Sequence, residues 1–127
     1  MTVHTLIDEA DLERVLVEHD TVVLDFWAVW CRPCQEFAPL FERAAERHPE
    51  LAFCRVNSDE AKALARAFGV KSIPTLLVIK ERILVAEQPG YLPESGLEDL
   101  LQQTYALDMD EVRREMSAAA GEPEEGK

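Results

Sequence analysis

Apolar residues along this chain fall into two rhythms, short continuous runs and stripes spaced three or four residues apart. Val3 to Leu6 reads as a short edge strand, after which Asp8 is placed to cap a helix carrying Leu12, Val15 and Leu16 on one face. Val22 to Trp27 is apolar on nearly every residue, as expected of a central strand covered on both sides, and Asp25 interrupts it. An amphipathic helix is predicted from Cys34, with Phe37, Leu40, Phe41, Ala44 and Ala45 on one face. Pro39 lies inside that stripe, where it removes a helix bond and should kink the helix.

Leu51 to Val56 is the next strand, followed by a helix with Ala61, Leu64, Ala65 and Phe68 on one face and Gly69 as its stop. Val70-Lys71-Ser72-Ile73 then leads into Pro74. Thr75 to Ile79 and Ile83 to Ala86 read as a hairpin, although its turn at Lys80, Glu81 and Arg82 lacks the usual glycine or asparagine. Gly90 breaks the pattern, and Ser95 with Glu98 has the spacing of a capping box for a helix carrying Leu97, Leu100 and Leu101. Asp108 and Glu111 have similar spacing before a short helix whose apolar face, Met109, Val112 and Met116, is weak. The expected organisation is therefore one domain over 1–107, a short helical extension over 108–120 and a disordered acidic tail over 121–127. The extension is expected to be a solvated appendage rather than a docking or dimer helix.

Composition narrows the function. The chain has 127 residues, 47% of them hydrophobic, which suits one core and leaves little room for a second. Its formal net charge of -12 disfavours nucleic acid and anionic lipid as partners. No stretch approaches membrane-spanning length, and Met1 to Asp20 carries acidic residues where an export signal needs a basic start. A cytoplasmic location and no membrane contact are expected. Three cysteines are too few and too unevenly spaced for a secreted disulfide scaffold, so a Cys31–Cys34 disulfide should be transient and catalytic.

The chemistry is concentrated in Trp30-Cys31-Arg32-Pro33-Cys34, where a CxxC pair follows a buried strand and opens a helix. A thiol at a helix N-terminus faces unpaired N–H groups and the positive end of the dipole, which lowers its pKa. The competing possibilities are half of a zinc site and two cysteines that happen to lie near each other. A closed zinc site needs four ligands, and only Cys54 and the scattered His4, His19 and His48 remain, so no metal is expected. Pro33 takes a first-turn position where a missing N–H costs nothing.

Asp25 is a carboxylate in an apolar strand, so its pKa should be raised. It is either an acid–base group or one half of an ion pair with Arg55 on the next predicted strand; the first is favoured because raised-pKa acids in clefts often move protons. Cys54 has the surroundings of a small core hydrophobe. The histidines have no ligand spacing and read as surface or capping residues.

Taken in order, Val23-Leu24-Asp25-Phe26-Trp27-Ala28, the WCRPC segment, Pro39, Ile73-Pro74-Thr75 and Gly90 resemble the thioredoxin family over roughly Val3 to Gln103. The resemblance implies an α/β thioredoxin fold, a central mixed five-stranded sheet flanked by four helices with the dithiol at the N-terminus of the second. It also implies that Cys31 attacks a substrate disulfide, Cys34 resolves the mixed disulfide, and Asp25 exchanges the Cys34 proton through water. Pro74 would be cis, with the Ile73 backbone pairing an extended substrate segment. Trp30, Val29, Gly90 and Tyr91 would complete an apolar substrate rim, with Trp27 packed beneath it. Two departures from the usual pattern are Arg32, where glycine is common, and Tyr91, where the residue is commonly small. Arg32 should favour the thiolate and raise the redox potential slightly.

The expected activity is therefore reduction of protein disulfides by a Cys31–Cys34 dithiol, with no cofactor, in a monomer recycled by an electron-donating thioredoxin reductase. A disulfide oxidant or isomerase is the nearest enzymatic alternative. A chaperone-like or interaction module using the acidic C-terminal extension is the alternative from a different class.

Overall fold

The computed structural model describes residues 3–125, with side chains described through residue 119. In chain order the elements are β1 (Val3–Leu6), α1 (Glu9–Glu18), β2 (Thr21–Trp27), α2 (Arg32–Arg47), β3 (Ala52–Asn57), α3 (Lys62–Ala67), β4 (Thr75–Lys80), β5 (Ile83–Pro89), α4 (Glu94–Ala106) and α5 (Met109–Glu125). The five strands form one mixed sheet in the order β1-β3-β2-β4-β5. β3 runs parallel to both β1 and β2, whereas β4 is antiparallel to β2 and β5.

The alternation of β2 distributes its side chains between two cores. Val22, Leu24 and Phe26 join Cys54, Val56, Leu77 and Ile79 beneath Val15 of α1 and Leu64 of α3. Val23 joins Phe53, Leu76 and Val78 beneath Phe37 and Phe41 of α2 and Leu97 and Leu101 of α4. Asp25 and Trp27 share the Val23 parity, so they belong to the face that α2 covers. Asp25 also pairs in register with Arg55 of β3 and Leu76 of β4.

Asp8 caps α1 as expected, its side chain accepting from the Asp11 amide. Gly69 ends the third helical segment with φ of 68°, a conformation that costs glycine nothing. Pro39 lies inside α2, as its position in the sequence required. The hairpin turn reaches its geometry without glycine, since Glu81 and Arg82 adopt φ of 52° and 66°. Their side chains are anchored: Arg82 binds Glu13 of α1 at 2.8 Å and Glu81 receives Arg113 from α5.

Three expectations change. Helix α2 starts at Arg32 rather than Cys34, because Cys31 serves as its N-cap and Pro33 fits the first turn. The Ser95–Glu98 capping box does not form: Pro93 is the N-cap of α4, and Glu98 is instead bound to Arg47 and His48 at the end of α2. Helix α5 continues to Glu125, through residues 121–125 where composition predicts disorder. The alanine-rich stretch before that segment favours carrying the helix onward; residues 126–127 of the predicted tail lie outside the described residues.

Candidate active site

The reactive segment is formed where β2 ends and α2 begins. Cys31 and Cys34 are joined in a disulfide with their Cα atoms 5.3 Å apart. Cys31 is the N-cap of α2, and its Sγ accepts from the Cys34 amide at 3.2 Å. The Cys34 amide and the helix dipole thus both act on this sulfur and would stabilise a thiolate on it. Cys34 is completely buried and Cys31 is only 4% exposed, so the two sulfurs differ little in exposure in the disulfide form. Ala28 completes this small cluster, with Trp27 and Ile73 packed against it.

Ile73 comes from the loop before β4, where the Ile73–Pro74 peptide is cis, as expected. The Gly90 amide donates to the Pro74 carbonyl at 2.7 Å and ties the end of β5 to this loop. Tyr91 stacks edge-on against Phe37 with ring centres 6.2 Å apart and remains 46% exposed. Trp30, at 70%, and Val29, at 65%, are more exposed still. Three apolar side chains that adjoin the dithiol or Gly90 in the chain are therefore left exposed.

Asp25 is fully buried, and neither carboxylate oxygen makes a hydrogen bond. Arg55 Nε lies 3.5 Å from its Oδ2, an ion contact rather than a hydrogen bond, and that Nε is also buried without a hydrogen-bond partner. Burial pushes the Asp25 carboxyl up to about 6, with the Arg55 charge opposing the rise. The pairing with Arg55 foreseen from the sequence is thus present, together with the raised pKa expected of a buried carboxyl. The Arg55 guanidinium also lies 4.1 Å from the centre of the Trp27 ring.

Arg32 projects into solvent, with 86% of its side chain exposed, and its Nε is 3.6 Å from Glu36 one turn along α2. Its charge is therefore partly offset before it reaches the sulfur. Cys54 is buried, and burial pushes its thiol up to about 12, which keeps it protonated and apart from the dithiol. Among the described residues no group of three or more His, Cys, Asp or Glu side chains is arranged to hold a metal ion.

The first 103 residues carry the same signature as a whole: residues 2–103 match the family model described as Thioredoxin. The chain belongs to the thioredoxin family. It is 43% identical to a thioredoxin 2 of Streptomyces coelicolor over 95% of this chain and 92% of that one. A thioredoxin of Haemophilus influenzae is also 43% identical, over 76% of this chain and 92% of its own. The solved structure of a thioredoxin mutant from Halobacterium salinarum superposes with a TM-score of 0.78 at 34% identity, covering 84% of this chain and 93% of that one. Membership of the thioredoxin family and the disulfide-bonded CxxC pair make the chain a thiol–disulfide oxidoreductase of the disulfide-reductase class.

Sequence reading missed several residues that shape the thioredoxin site. Trp30 Nε1 donates to Asp59 Oδ2 at 2.9 Å, and Gln35 Nε2 donates to the Val29 carbonyl at 2.6 Å. The Ser58 amide donates to the Trp27 carbonyl at 2.8 Å. A signal for the β3 residues was present: parallel neighbours place their C-terminal loops side by side, so the polar run Asn57-Ser58-Asp59 must sit beside the dithiol loop.

Proposed function

We propose that the dithiol works as a reductase of protein disulfides in the cytoplasm, recycled by a thioredoxin reductase. The observation that carries this reading is Cys31 at the N-cap of α2 with its sulfur accepting from the Cys34 amide. In the reduced protein the Cys31 thiolate attacks one substrate sulfur; the substrate S–S bond breaks, one substrate thiolate leaves and a mixed disulfide forms. Cys34 then loses its proton and attacks the Cys31 sulfur, releasing the second substrate thiolate. Two electrons pass to the substrate, and the protein is left as the Cys31–Cys34 disulfide.

Asp25 is proposed to receive the Cys34 proton. A carboxyl held near 6 is mostly ionised at neutral pH yet close enough to it to take and return a proton. Ile73 and Pro74 are proposed to pair an extended substrate segment, with Trp30, Gly90 and Tyr91 forming the apolar rim that excludes water from the exchanging sulfurs. Arg32 and Pro33 would tune the redox potential.

A monomer is favoured by the way α5 uses its apolar face. Met109 is only 6% exposed and Arg113 pairs with Glu81 of the same chain, although Met116 is 49% exposed. No described helix is long and apolar enough to cross a membrane.

The decisive measurement is insulin reduction followed by turbidity in the presence of dithiothreitol. Rate enhancement over dithiothreitol alone is expected; its absence would refute the reductase reading and favour an interaction module.

A further inference from the structure

The dithiol loop is closed twice, once by the disulfide and once by a hydrogen bond that brackets it. Gln35, in the first turn of α2, donates from Nε2 to the Val29 carbonyl at 2.6 Å, six positions back along the chain. Its own amide donates to the Cys31 carbonyl at 3.1 Å, so this residue holds the loop through both backbone and side chain. Both cysteines lie inside the ring that the side-chain bond closes. Gln35 and Val29 are exposed, so the bond is not there to satisfy a buried polar group.

We propose that Gln35 is a positioning residue for the dithiol, and that its bond to the Val29 carbonyl favours the disulfide over the open dithiol. The proposal rests on the reductase reading and deepens it, since a dithiol that closes more readily is a stronger reductant. In the disulfide form the cysteine Cα atoms are held 5.3 Å apart, and the side-chain bond forms around a loop whose freedom is already spent. When the disulfide opens, the same bond must order the loop by itself and costs more. The coupling is reciprocal: what the disulfide does for the hydrogen bond, the hydrogen bond does for the disulfide, by raising the effective concentration of one thiol at the other.

Direct electrostatics has the opposite sign. Groups that act on the Cys31 sulfur itself, such as the Cys34 amide, favour the thiolate and so the reduced form, which raises the potential. Gln35 Nε2 is bonded to a loop carbonyl instead of the sulfur, which makes it a ring-closing group that lowers the potential. The direction of the shift therefore separates the two modes of action.

The test uses the full chain and two variants without the donor, Gln35→Met, which keeps the length of the side chain, and Gln35→Ala. Each is equilibrated with dithiothreitol, whose two thiols pass two electrons to the Cys31–Cys34 disulfide and themselves close into a cyclic disulfide. The equilibrium constant for reduction should rise about two- to threefold in both variants, a part of what one net hydrogen bond supplies, equivalent to a potential higher by roughly 9–14 mV. The second readout is resolution of the mixed disulfide between Cys31 and glutathione, in which the Cys34 thiolate attacks the Cys31 sulfur, the bond to glutathione breaks and its thiolate leaves. That step closes the same loop, so glutathione release should slow about twofold. The pH midpoint for alkylation of Cys31 should stay where it is in the unaltered protein. Neither measurement uses a protein substrate, so a failure of insulin reduction and a failure of this proposal are read separately. A potential that is unchanged or lower in both variants would overturn the proposal, as would a higher potential accompanied by a lowered alkylation midpoint, which would mean that Gln35 acts through the thiolate.

Discussion

Helix α2 carries the dithiol at one end and His48 at the other, and the two ends differ in how completely their polar groups are satisfied. At the His48 end, Nε2 lies 2.9 Å from Glu98 and Nδ1 lies 2.7 Å from the Tyr105 hydroxyl. Tyr105 in turn donates to Glu50, and Arg47 binds both Glu94 and Glu98. Hydrogen bonds from Tyr105 and His48 hold the Glu50 and Glu98 carboxyls below their ordinary value. At the dithiol end, both oxygens of Asp25 and Arg55 Nε are buried without hydrogen bonds. A fully paired cluster fixes α2 against α4, whereas the incompletely paired carboxyl is pushed up to about 6, within reach of neutral pH. Stability is concentrated at one end of the helix and reactivity at the other.

The largest effect should come from the sulfurs themselves. Cys31→Ser should abolish attack on a substrate disulfide, while Cys34→Ser should attack but fail to resolve, accumulating mixed disulfide. Intact mass spectrometry after incubation with a disulfide substrate reads both outcomes. Equal adduct formation by the two variants would reverse the contrast drawn between an attacking and a resolving cysteine.

Asp25→Asn tests the cost of the unsatisfied end. Because the carboxyl rises from 3.8 to about 6 on folding, the native protein binds this proton more tightly than the unfolded chain. The stabilisation from that proton is complete below about pH 4 and is lost as pH rises through about 6. The asparagine variant should therefore gain on the unaltered protein across that window, reaching about 2–3 kcal/mol at pH 7. Its turnover should slow at the same time. Denaturant melts at several pH values and single-turnover kinetics check the two together, and a variant that is less stable and equally fast would make Asp25 a structural partner of Arg55.

His48→Ala removes the hub of the satisfied end. A loss of about 1–2 kcal/mol is expected in denaturant unfolding, with insulin reduction per folded molecule unchanged. A parallel loss of turnover would show that the two ends of α2 are not energetically separate.

The sequence made the dithiol end more legible than the His48 end for a local reason. Trp30 to Cys34 and the strand before it are contiguous, so spacing alone carries their meaning. The start of α2 was placed late because Arg32 and Pro33 add nothing to its apolar stripe, and cysteine is not among the residues expected at an N-cap. The Ser95–Glu98 box had the right local spacing and lost to tertiary partners, since Glu98 serves Arg47 and His48 some 50 positions away. Asp25 lay between these cases: Arg55 was foreseeable from adjacent strands, but the buried, unbonded geometry depends on register and on α2 closing over that face. Ser58 and Asp59 were legible only indirectly, through the parallel pairing that brings the end of β3 beside the end of β2.

Arg32 should contribute the smallest effect, and its size measures how far the reactive end is tuned by surface charge. A guanidinium near the attacking sulfur favours the thiolate and so the reduced form, which raises the redox potential. An exposed charge interaction of about 0.5–1 kcal/mol corresponds to roughly 10–20 mV for a two-electron couple. With 86% of the side chain exposed and Glu36 3.6 Å away, Arg32 should fall at or below the lower end of that range. Arg32→Gly should therefore lower the potential by about 10 mV or less, and Glu36→Gln, which frees the guanidinium, should raise it by a similar amount. Equilibration with a dithiothreitol or glutathione redox buffer at low salt measures both. A higher potential in the glycine variant would show that Arg32 does not act through the thiolate. A change far above 20 mV would show that this exposed pair governs the sulfur more strongly than surface charges can, and that the dithiol end depends less on burial than Asp25 indicates.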